Sequence, residues 1–100
     1  MILLTQLIYA YPGKEAILEQ FEAHVLPLIA KHGGELLLRL RPAPDSVISA
    51  SIDVPTEIHL VRFPDEDALA RFSDDEERRR YLDLKSQAVR TVLLIKGAAV

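Results

Sequence analysis

From Ile2 to Tyr11 the chain is almost continuously aliphatic and aromatic, and Pro12-Gly13 then breaks it. That pattern predicts a strand buried over most of its length. From Lys14 to His32 the period becomes helical. Ile17, Phe21 and Leu28, with Val25 and Ile29 one step round, form an apolar stripe, while Lys14, Glu15, Glu19, Glu22 and Lys31 fall mainly on the other side. Gly33-Gly34 gives a helix stop. Pro27 lies inside this helix and lacks the backbone donor, at a cost of about 3 kcal/mol in an unsupported helix. A kink or break is expected near Ala23 to Leu26.

Glu35 to Arg41 predicts a second strand. Strict alternation puts Leu36, Leu38 and Leu40 on one face and Glu35, Leu37, Arg39 and Arg41 on the other. Pro42 to Pro55 reads as a loop or hairpin arm, with Val47-Ile48 as a short added strand. Thr56 to Phe63 predicts the third strand. Asp65 to Phe72 predicts a short helix with acidic residues at its positive end. Ser73, with Glu76 three residues on, reads as the N-cap of a further helix from about Asp74 to Ala88, whose inner stripe is Tyr81, Leu84 and Ala88. Thr91 to Ile95 predicts the last strand.

The order is therefore βαββαβ, and the two halves repeat each other. Tyr11-Pro12-Gly13-Lys14-Glu15-Ala16-Ile17 and Phe63-Pro64-Asp65-Glu66-Asp67-Ala68-Leu69 both read aromatic, Pro, two variable residues, acidic, Ala, aliphatic, at an offset of 52 residues. Two such halves predict an α+β, ferredoxin-like sandwich: a four-stranded antiparallel sheet with both helical segments on one face. The other face should then be polar if it meets water. It is not. The first strand carries Leu3, Thr5, Leu7 and Tyr9 on one side and Ile2, Leu4, Gln6 and Ile8 on the other. So large an apolar patch needs a cover. A second copy supplies the simplest one, giving a homodimeric α/β barrel with room for a small ligand.

Length and composition narrow the class. One hundred residues, 49% hydrophobic and 27% charged, fit one small globular domain over 1–100. A net charge of −3 argues against nucleic acid as a partner. The absence of cysteine excludes disulfides, thiolate metal sites and cysteine nucleophiles. Apolar runs are too short for a membrane span, and the start Met1-Ile2-Leu3-Leu4 has no basic n-region, so the expected location is cytoplasmic.

Val25-Leu26-Pro27-Leu28-Ile29-Ala30-Lys31-His32-Gly33-Gly34, followed by a strand carrying Arg39, resembles a small uncharacterised bacterial family. That family falls in the dimeric α/β-barrel superfamily that includes the antibiotic-biosynthesis monooxygenases. Val61-Arg62-Phe63-Pro64-Asp65-Glu66-Asp67-Ala68 and Tyr81 carry the likeness onward; residues 43–55 do not. The family pattern has glutamate where Arg62 stands and Glu-Gly where Ser49-Ala50-Ser51 stands, so roles of those acidic groups do not transfer. The resemblance implies the fold more than a reaction, because the superfamily spans cofactor-free oxygenases, isomerases and haem enzymes.

Candidate chemistry is sparse. His59 sits mid-strand and could act as a proton-handling group if it faces a cavity; otherwise it is a hydrogen-bonded histidine under a helix. Tyr9 is a second candidate, for proton handling or a hydroxyl contact. Arg39 and Arg62 interrupt apolar strands and could grip a ligand carboxylate, or else pair with Glu35, Glu57 or a residue across the dimer. Alternation puts Arg62 opposite His59 and favours Arg62 inside the barrel. His24 and His32 are too far apart on one helix for a shared metal, and no metal or cofactor is expected. The run Asp74-Asp75-Glu76-Glu77-Arg78-Arg79-Arg80 reads as a solvated, internally paired face. These features predict a protein that binds a small apolar or acidic molecule. A cofactor-independent monooxygenase or isomerase is the alternative, and whether the protein is an enzyme stays open.

Overall fold

The computed structural model describes residues 1–100. The elements are β1 (Ile2–Ala10), α1 (Glu15–Val25), α2 (Pro27–Lys31), β2 (Glu35–Leu40), β3 (Glu57–Phe63), α3 (Glu66–Ser73), α4 (Glu76–Arg80), α5 (Leu82–Ala88) and β4 (Val89–Ala98). The strands form one antiparallel sheet in the order β2-β3-β1-β4, which is the ferredoxin-like arrangement. No helix is long and apolar enough to cross a membrane.

Pro27 divides the first helix as its chemistry requires. The Leu26 N–H still reaches Glu22 O at 2.9 Å, but Pro27 has no N–H to offer the next carbonyl, and α2 begins there. The turn into β2 depends on two glycines. Gly33 has φ +78, and a Cβ on Gly34 would lie 2.7 Å from Phe63 Cε1 and 2.9 Å from Ile29 Cγ2. Glycine there lets the chain pass directly against the core.

Four local expectations are corrected. Val47-Ile48 forms no strand, and the segment holds only a 3₁₀ turn at Pro44–Ser46. Ser73 ends α3 instead of capping the next helix. The cap of α4 is Asp75, whose Oδ1 accepts from Glu77 N at 2.8 Å and Arg78 N at 3.4 Å. The expected helix from Asp74 to Ala88 is two pieces, α4 and α5, divided at Tyr81. In β2 the register shifts between Leu36 and Leu38. This bulge places Leu36 opposite Val61 and Arg39 opposite His59, so both stand on the helix side, while Leu38 and Leu40 stand on the other.

Asp75 also fastens α4 to the first helical arm. Its Oδ2 accepts from Lys31 Nζ at 2.8 Å and lies 2.7 Å from His32 Nε2. Hydrogen bonds from Lys31 and then His32 hold its carboxyl well below the usual range, against the opposing effect of burial. His24 adds a stack on Tyr81, with ring centroids 3.9 Å apart.

The molecule is a slab of 37 × 35 × 16 Å, one helical layer on one sheet. Its core lies between these layers in two clusters. Leu4, Ile29, Val61, Phe63 and Ala68 form one; Ile8, Leu18 and Ala88 form the other. The opposite face of the sheet is uncovered and greasy: Leu38 is 45%, Leu93 47% and Ile95 53% exposed. Those values far exceed what an ordinary core face shows.

Candidate functional site

Strand β3 alternates perfectly between buried and half-buried positions, and its inward residues are Glu57, His59, Val61 and Phe63. Two of four core-facing positions are thus ionisable. Above them, α1 contributes Glu22, which was expected on the polar side of the helix and is instead buried among Leu18, Phe21 and Val25. Buried charges persist only when paired.

The pairing is extensive. His59 Nε2 lies 2.8 Å from Glu57 Oε1 and 3.0 Å from Glu22 Oε2. Its hydrogen bond is directed at Glu57, and Glu22 Oε2 is left without a hydrogen-bond partner. Arg39 donates from Nη2 to Glu22 Oε1 at 3.0 Å and approaches Glu57 Oε1 through Nε at 3.4 Å. Arg41 donates from Nε to Glu57 Oε2 at 2.9 Å and pairs with Glu19 Oε1 at 2.7 Å.

Burial pushes the His59 imidazole toward the neutral form, but hydrogen bonds and charge from Glu22 and Glu57 outweigh it and raise its pKa. Burial pushes Glu57 up, yet hydrogen bonds involving His59, Glu22 and Arg41, with the charge of Arg39, bring it down to about 2. With His59 protonated, three cations (Arg39, Arg41, His59) face three carboxylates (Glu19, Glu22, Glu57).

Glu22, Glu57 and His59 also place one ligand atom each within 4.8 Å of one another, a spacing a divalent cation could use. Two guanidinium groups already supply the positive charge that such an ion would bring.

Glu22 and His59 of this cluster line a cavity between the sheet and the helices. Its volume is about 360 Å³, and fourteen of its twenty lining residues are hydrophobic, drawn from both core clusters. The polar positions are Gln6, Glu22, His59, Ser73, Arg78 and Lys85. Arg78 was expected on a solvated face; it is half-buried here.

Of the candidate site residues Tyr9, Arg39, His59 and Arg62, only His59 lines this cavity. Arg39 stands behind the cluster, in a groove with Glu19, Arg41, Ala23 and Pro27. Arg62 points to the open face of the sheet and pairs with Glu35. Tyr9 shares that open face and donates to Asp53 O at 2.9 Å. Arg39 and Arg62 therefore occupy opposite faces, and the expectation of a shared arginine grip is corrected: the β2 bulge moved Arg39 to the helix side. Glu57 was expected only as an ion-pair partner, which it is for Arg39 at 3.4 Å; Glu22, Arg78 and Lys85 were missed. Their one signal was spacing: Glu22 lies at i+4 from Leu18 and i−3 from Val25, and Lys85 at i+7 from Arg78.

No protein-family profile and no curated protein matches the chain. Solved structures do. A protein of unknown function from Rhodopseudomonas palustris superposes with a TM-score of 0.82 at 15% identity, covering 99% of this chain and 82% of that one. An antibiotic biosynthesis monooxygenase superposes with a TM-score of 0.66 at 16% identity, covering 100% and 99%. A dimeric protein of unknown function with a ferredoxin-like fold from Bacteroides fragilis gives 0.64 at 9% identity, covering 96% and 93%. At these identities the likeness shows the fold alone, a ferredoxin-like one.

Proposed function

We propose that this protein binds a small, largely apolar molecule in the cavity between its sheet and helices, and does so as a homodimer. The cavity carries this reading. Its volume falls within the roughly 300–1,000 Å³ of small-molecule sites, and its walls are apolar except for a few converging polar groups. Its place differs from the one expected from sequence, which put the ligand between two facing sheets. The exposed leucines and isoleucine of the open face support a second copy as their cover, and the Bacteroides fragilis structure is described as dimeric. The chain would work in the cytoplasm.

A specific observation favours a second reading, a cofactor-independent isomerase or monooxygenase. His59 and Glu22 line the same cavity, and Glu22 Oε2 has no hydrogen-bond partner. A protonated imidazole beside a carboxylate oxygen can deliver a proton to one atom of a bound molecule while the carboxylate removes another. That arrangement suits proton transfer, as in isomerisation.

Fluorescence of the neutral dye N-phenyl-1-naphthylamine tests the binding reading. We expect enhancement with the wild-type protein and loss of it in Val92→Phe, which fills the cavity. Enhancement unchanged by Val92→Phe, or none at all in the folded wild type, contradicts it.

A further inference from the structure

Arg78 on α4 and Lys85 on α5 are the cations that the cavity wall holds without an anion. Of the twelve lysines and arginines, three are half-buried and the rest exposed: Arg62, Arg78 and Lys85 are the half-buried ones. Arg62 has Glu35. Arg78 and Lys85 have no carboxylate within ion-pair distance, although nine other lysines, arginines and histidines of this chain do. The Arg78 guanidinium lies over the Phe72 ring, 5.4 Å from its centroid, and reaches only Ser73 O, through Nη1 at 3.3 Å. Its Nε is buried with no partner. Burial lowers the pKa of both groups, and the charge of Arg78 lowers that of Lys85 further.

A half-buried guanidinium whose Nε has no partner, lining the same cavity as a second half-buried cation, is costly unless something anionic joins them. The chain offers nothing: the one acidic residue in the cavity wall is Glu22, which is paired with Arg39.

We infer that the ligand is an amphipathic carboxylic acid, its carboxylate held by Arg78 and Lys85 and its apolar body packed among Phe21, Val61 and Val92. A guanidinium and an ammonium match a carboxylate, the first by its planar fork and the second as a point charge. The apolar walls favour a hydrocarbon body over a sugar or nucleotide. This assignment rests on the cavity reading and adds the class of its occupant. It also moves the expected acid grip from Arg39 and Arg62 to a pair of residues on the second helical arm.

Calorimetric titration with octanoate and with 1-octanol tests it, on the wild type and on Arg78→Met and Lys85→Met. One charge-assisted contact discriminates by roughly ten- to a hundredfold, so the wild type is expected to bind octanoate at least about tenfold more tightly than octanol. Each variant is expected to lose most of that preference while still binding octanol. Because each variant removes a half-buried charge that has no carboxylate partner, neither is expected to lower the thermal midpoint of the ligand-free protein. Equal binding of octanoate and octanol by the wild type overturns the carboxylate assignment and leaves the cavity reading intact. Binding of neither overturns the cavity reading and the assignment with it. Retention of the octanoate preference in both variants overturns the roles of Arg78 and Lys85.

Discussion

His59 and Glu57 stand two positions apart on the core face of β3, joined from Nε2 to Oε1 at 2.8 Å. The pair is nearly solvent-free, and its two members shift in opposite directions. That gives the protein a signed pH dependence. His59 is raised above its ordinary 6.5, so its contribution is complete below that pH and is lost as pH rises through the folded value. Glu57 falls from 4.5 to about 2, so its contribution is complete above 4.5 and is lost as pH falls toward 2. Urea unfolding across pH should therefore show greatest stability from this cluster between 4.5 and 6.5, with an acid loss on the order of 3 kcal/mol. His59→Gln should remove the alkaline decline. A profile that keeps rising through neutral pH contradicts the cluster.

Gly34 is predicted to be intolerant of a single methyl group. Its Cβ would sit 2.7 Å from Phe63, a fully buried ring that cannot retreat from Val61 and Ala68. Gly34→Ala should cost about 1–3 kcal/mol through overpacking, whereas Gly97→Ala, with nothing within 4 Å, should leave the thermal midpoint nearly unchanged. Equal midpoints for the two variants would show that the α2–β2 turn has room for the methyl group.

Association through the open face of the sheet should depend on the exposed leucines of its two outer strands, β2 and β4. Leu38→Lys combined with Leu93→Lys places two charges on that face. Sedimentation velocity should find a dimer for the wild type and a folded monomer for the double variant. A wild-type monomer at micromolar concentration contradicts the dimer.

The fold was legible because each level of the sequence agreed with the next. Period-two strands, the Pro27 break, the Gly33-Gly34 stop and the repeated aromatic-Pro junction all point to one arrangement. The errors are equally physical. A capping-box pattern at Ser73 lost to Asp75, whose carboxylate caps α4 and also binds Lys31 and His32. The β2 alternation failed at one bulge, and with it the placement of Arg39. Glu22 and Arg78 were read as surface charges because a helical wheel treats charge as solvated, and only tertiary neighbours reveal a buried ion pair or an unpaired cation. His59 was recognised, and alternation puts Glu57 beside it at i−2, but Glu22 comes from α1 and nothing local announces it.

The location of the ligand decides the account most directly. With methyl-labelled protein and octanoate, nuclear Overhauser contacts from the octanoate chain should reach Ile8, Leu18, Val61 and Val92, between the sheet and the helices. Contacts to Leu38, Leu93 and Ile95 instead would place the molecule on the opposite face and contradict it.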